Sequence, residues 1–85
     1  MKTFKDLKFK THIHPDIFDT QARINFENKY GISVITGGYG DIHNPYEVAV
    51  LYENEITYNT HITDDVIGYQ TQESVTEIMK QIQEL

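Results

Sequence analysis

Two adjacent carboxylates, Asp64 and Asp65, stand in the stretch ITDDVIGY at residues 62–69, with His61 directly before it. A carboxylate pair does acid–base work or holds a cation only where both groups converge on one atom. Neighbours in a helical turn instead point about 100° apart. The Thr63 hydroxyl suits the cap of such a turn, the aspartates suit its electropositive end, and Gly68 suits the left-handed residue that closes it. The spacing therefore predicts a short capped turn over residues 63–68 and no catalytic residue, with His61, Thr63, Asp64 and Asp65 left as contacts for a ligand or partner.

His12 and His14 are two apart, so on a strand they would share a face, and a metal would still need Asp16, His43 or His61 brought beside them. No second spaced pair and no His-Glu-x-x-His pattern is present, so neither a metal nor another cofactor is expected. The chain has no cysteine, which removes disulfides, thiolate nucleophiles and thiolate zinc sites, and fits a reducing compartment. The segment Gly37-Gly38-Tyr39-Gly40 is not followed by Gly-Lys-Ser/Thr, so it is no phosphate loop. It opens a connection through Asp41 to Pro45 that is longer than a tight hairpin needs, the kind of loop that carries recognition. Gly38 and Tyr39 are therefore site candidates. Tyr30, Tyr58 and Tyr69 are further aromatic anchors among six tyrosines.

Charge is distributed unevenly. Residues 1–30 carry six Lys or Arg against four acids, net +2, whereas residues 31–85 carry only Lys80 against nine acids, net −8, giving −6 for the chain. Phosphate backbones require clustered cations, so direct nucleic-acid binding is not expected. An acidic face instead attracts a basic protein.

These residues must be positioned by one small domain, residues 1–85, because a chain of 85 residues buries only roughly 60% of the surface it exposes when unfolded. Val75, Ile78, Met79, Ile82 and Leu85 form one stripe at helical spacing behind the N-cap candidate Thr71, predicting a helix over about 72–84. Ala22, Ile24 and Phe26 alternate with polar residues. So do Tyr30, Ile32 and Val34, and then Tyr46, Val48, Val50 and Tyr52, with Ile56-Thr57-Tyr58 after the turn at Glu53-Asn54-Glu55. The expectation is an α+β fold: a four-stranded antiparallel meander with one polar face, the other covered by the C-terminal helix. Phe4, Leu7 and Phe9 suggest a helical turn and a short extended piece along a sheet edge, where lysines discourage edge pairing. The start MKTFKDLKFK carries no apolar run of signal-peptide length, and no stretch of about 18 apolar residues could span a bilayer. A soluble, cytoplasmic protein with no membrane partner is expected.

The segments FKDLKFK, QARINFENKYGISVI, YEVAVL and ITYNTHITDDVIGY, followed by a short terminal helix, resemble a group of small bacteriophage and prophage accessory proteins. The likeness runs from Phe4 to about Glu77. Members often read Asn-Gly-Tyr-Gly where this chain has Asn28-Lys29-Tyr30-Gly31, and Thr-Pro-Ile-Thr where it has Thr60-His61-Ile62-Thr63; they lack the histidines near His12 and His14. The resemblance implies a phage accessory protein in the host cytoplasm and brings no catalytic residue. By analogy with accessory proteins of this size, the expected function is a non-enzymatic counter-defence inhibitor that binds a host defence protein through an acidic, tyrosine-bearing surface. The alternative is a sponge for a nucleotide immune signal, a cyclic nucleotide or an ADP-ribose derivative, held by Gly38, Tyr39, Arg23 and the 60–69 turn. A homodimer interface is a further place for such a ligand.

Overall fold

A computed structural model describes residues 1–11 and 19–85. Among them a 3-10 turn, Phe4–Asp6, leads into strand β1 (Lys10–Thr11). There follow β2 (Thr20–Asn25), β3 (Tyr30–Thr36), β4 (Tyr46–Tyr52), β5 (Glu55–Ile56), β6 (Ile67–Gln70) and helix α1 (Gln72–Gln83). The strands form one antiparallel sheet in the order β1-β2-β3-β4-β5, with β6 also pairing β4. The protein is α+β, as the patterning predicts; β2 to β5 form the expected meander, except that the fourth strand ends at Ile56 and leaves Thr57 and Tyr58 outside it, and β1 lies on its edge.

Local chemistry sets the turns. Between β2 and β3, Lys29 takes the left-handed conformation at φ 74° and Phe26 N–H donates to Tyr30 O at 2.7 Å. Between β4 and β5, both Glu53 and Asn54 are left-handed, at φ 50° and 71°, the two-residue pattern whose twist matches paired strands. Asn28 in the first turn also donates from Nδ2 to Ile82 O at 2.9 Å, so a hairpin caps the end of α1.

On the inner face, Ala22, Ile32, Val34, Val48 and Val50 meet Val75, Ile78, Met79 and Ile82 of α1, with Leu7 closing the side. The helix begins at Thr71, whose Oγ1 accepts from Ser74 N–H while Ser74 Oγ accepts from Thr71 N–H, a reciprocal cap. The chain start is held to this layer: Phe4 N–H donates to Thr76 Oγ1, and the Phe4 ring stands 5.0 Å from that of Tyr46.

Two expectations are corrected. The second face of the sheet is not simply polar, because β3 buries residues 31–34 and β4 buries 48–51 without alternation. On this outer face Ser33 and Ala49 lie among Gln21, Ile35, Tyr39, Ile56 and Val66, and Arg23 reaches across to donate to Asn54 O at 2.7 Å in the β4–β5 turn. The predicted turn of helix over 63–68 is also absent. Residues 63–66 are irregular, and Gly68 lies inside β6 rather than ending a helix. Edge pairing with β4 satisfies the backbone of 67–70 better than one isolated helical turn can.

Candidate functional site

The connection between β3 and β4 is built from the inside out. Asp41 Oδ1 accepts from His43 N–H at 2.9 Å and from Asn44 N–H at 2.7 Å, and Asp41 N–H donates to Asn44 O. The backbone donor of Asn44 foremost, with that of His43 and the Asn44 side chain, holds the Asp41 carboxyl below its ordinary value of 3.8. Gly37 is left-handed at φ 83°, and Tyr39 N–H donates to Glu47 Oε1 at 3.0 Å.

This loop docks on β6. Tyr69 N–H donates to Tyr39 O at 2.9 Å, and a Cβ at Gly68 would stand 2.7 Å from Tyr39 Cβ. Glycine suits this position because any side chain would force Tyr39 and its loop to shift. The β4–β6 pairing is irregular: Tyr46 faces Gln70 while Val48 faces Ile67, so two steps on β4 meet three on β6. The extra residue makes a bulge, a device that re-aims a side chain. Tyr69 sits in it at φ 59° and remains 58% exposed; Tyr39 is 65% exposed.

The outer face carries a second arrangement, set by register. Lys10 faces Gln21, Gln21 faces Ile35 and Ile35 faces Glu47, so four strands contribute one row. The adjacent row is Arg23, Ser33 and Ala49. Two grooves adjoin these rows, the first reaching round the β2 edge to Ile24, which packs against the inner core. One, of about 440 Å³, is lined by Asp6, Lys8, Lys10, Thr11, Gln21, Arg23 and Ile24. The other, of about 480 Å³, has Ser33, Ile35 and Ala49 as floor, with Tyr39, Glu47, Ile56 and Val66 around it, and shares Gln21 with the first. Gln21 Nε2 donates to Ser33 Oγ at 3.0 Å.

The structure therefore joins Gly38, Tyr39 and Tyr69 around the loop and brings Val66 to the same groove. Arg23 lines the neighbouring groove instead. Tyr30 is not part of either; half-buried at the other end of β3, its ring packs 4.8 Å from that of Tyr52. Tyr58 is exposed beyond β5. Thr63 Oγ1 accepts from Asp65 N–H at 3.1 Å and donates to Asp65 O, while Asp65 Oδ1 accepts from Val66 N–H, so these polar groups serve their own bend. Asp64 and His61 are exposed. Among the described residues no three His, Asp or Glu side chains are grouped to hold a metal ion, and no helix is long and apolar enough to cross a membrane. His12, His14 and Asp16 lie outside the described residues. Lys10, Gln21, Ile35 and Glu47 were not singled out from the sequence; alternation gives their face, but only the register puts them in one row.

No family model, curated protein or solved structure matches the chain.

Proposed function

We propose that the protein acts by binding, as a stoichiometric inhibitor whose partner is a basic surface of a host defence protein, the phage setting resting on the sequence resemblance. The supporting observation is Tyr69. A bulky residue in the left-handed region costs roughly 1–2 kcal/mol, yet here its ring is presented to solvent beside exposed Tyr39 rather than buried. That backbone lets Tyr69 N–H reach Tyr39 O, and the same docking leaves both tyrosines exposed as anchors for a contact made outside the chain. The surroundings give the charge: Asp41 follows Tyr39 in the loop, Asp64 and Asp65 precede β6, and no Lys or Arg occurs between Lys29 and Lys80. Tyrosine anchors within a field of carboxylates match a cationic protein surface.

The test is capture of host proteins by wild-type protein, a Y39A/Y69A variant and a D64K/D65K variant, compared by quantitative mass spectrometry at low and high salt. One host protein should be enriched by the wild type alone, and its capture should fall with salt. Equal enrichment by all three baits would sink the proposal.

A further inference from the structure

We infer that the outer face of the sheet is a binding site for a purine nucleoside monophosphate of the guanine type, lying across β1 to β4. The cation half comes first. Lys10 and Gln21 are cross-strand partners and so project to one face, as do Gln21 and Ser33, which are hydrogen-bonded; Arg23 faces Ser33 on the same side. Lys8 lines the groove with Lys10 and Arg23. Three cations thus meet one carboxylate, that of Asp6, which already accepts from Thr3 N–H at 2.8 Å. Among the described residues the one ion pair is Lys29 with Glu53, elsewhere on the surface. Arg23 gives one N–H to Asn54 O and has further donors in its fork. Lys10 on β1, Lys8 just before it and Arg23 on β2 are like charges around one groove, and a phosphate group relieves their repulsion. This is local charge of a sign opposite to the chain's −6.

The second half lies about three interstrand spacings, roughly 14 Å, along the row from Lys10 to Glu47. Its floor of Ser33, Ile35 and Ala49 is small and largely apolar, with Tyr39 and Val66 beside it, which suits a planar ring. At its end is the half-buried carboxylate of Glu47, with Oε1 engaged by Tyr39 N–H. A carboxylate only accepts hydrogen bonds, and guanine offers it two neighbouring N–H donors, at N1 and N2, where adenine and cytosine offer one amino group. Phosphate at Lys8, Lys10 and Arg23 and base edge at Glu47 therefore fit one ligand, with Gln21 between them. This proposal keeps Arg23, Gly38 and Tyr39 of the cleft expected from sequence, in two adjoining grooves, and of the 60–69 turn uses only Val66.

The experiment is calorimetric titration of the full chain with GMP, AMP, CMP, guanosine and inorganic phosphate, up to millimolar concentration. GMP should bind at least about tenfold tighter than guanosine or phosphate alone. K10E/R23E should weaken GMP at least about tenfold, as should the milder K8Q/K10Q if charge reversal disturbs folding. E47Q keeps an acceptor for Tyr39 N–H and should abolish the preference for GMP over CMP. Absence of GMP binding, or GMP binding unaltered in K10E/R23E and K8Q/K10Q, would overturn the site; CMP binding as tight as GMP would overturn the placement of the base at Glu47. Protein capture by K10E/R23E should be unchanged and nucleotide binding by D64K/D65K should be unchanged, so failure of this site and failure of the proposed partner surface are read separately.

Discussion

Tyr69 and Gly68 pose opposite demands at neighbouring positions. Gly68 has ordinary backbone angles but no space, whereas Tyr69 has space and unfavourable backbone angles. Replacing Gly68 by Ala should therefore cost about 1–3 kcal/mol in urea unfolding, since Tyr39 and its loop must shift to admit the methyl group. At position 69 the ordering depends on conformation rather than size. Tyr69→Gly should leave stability within about 1 kcal/mol of wild type, and Tyr69→Val, β-branched and left-handed, should cost about 1–2 kcal/mol. Equal stability of the two variants would show that the bulge relaxes and stores no strain. Asp41 adds a pH response of known sign. Its carboxyl is held below 3.8 in the folded loop by the Asn44 and His43 donors, so its contribution is fully present above that pH and is lost as the pH falls through the lower folded value. Amide exchange at His43 and Asn44 should thus be constant between about pH 4 and 6, after correction for the intrinsic rate, and should rise only below that window.

At the scale of elements, α1 is secured at both ends by side chains outside its own apolar stripe. Thr71 and Ser74 satisfy each other's backbone donors at the start, and Asn28, from the β2–β3 turn, takes the Ile82 carbonyl at the end. Thr71→Ala should cost about 1 kcal/mol by losing the cap, measured as a lower denaturation midpoint with unchanged slope. Asn28→Ala should cost a similar amount, with increased exchange confined to the last turn of the helix and to Tyr30 N–H, which loses the Asn28 Oδ1 acceptor. Half of the first device was legible in the sequence, because Thr71 stands just before an apolar stripe, whereas the return bond to Ser74 was not read there. The second was not, since Asn28 and Ile82 are far apart in the chain and nothing local marks them as partners.

For the whole molecule, the decisive balance lies between one thin core and two differently charged surfaces. Met79 is fully buried between sheet and helix, so Met79→Ala should cost about 2–5 kcal/mol and lower the Tm by roughly 10–30 °C in a domain of this size. A small Tm change would mean that the core collapses around the vacancy. The acidic stretch between Lys29 and Lys80 and the cationic groove at β1 and β2 lie in separate sequence regions, which is why the charge asymmetry could be read early. Alternation likewise gave β2 to β4. It could not show that residues 48–51 would all be buried, because that depends on side chains from other strands and the β3–β4 loop gathering over the outer face.

Periodicity and capping chemistry, which act over a few neighbouring residues, were enough to determine the α+β class, the helix with its N-cap, the strands of the meander and the loop after Gly37. Tertiary structure alone decided that residues 67–70 form a bulged strand rather than the end of a helical turn, that Tyr39 and Tyr69 stand together while Tyr30 does not, and that Lys10, Gln21, Ile35 and Glu47 share one row. Strand register and edge pairing carry this second set, and both are settled by backbone hydrogen bonds between segments far apart in the chain, for which single residues leave no local sign.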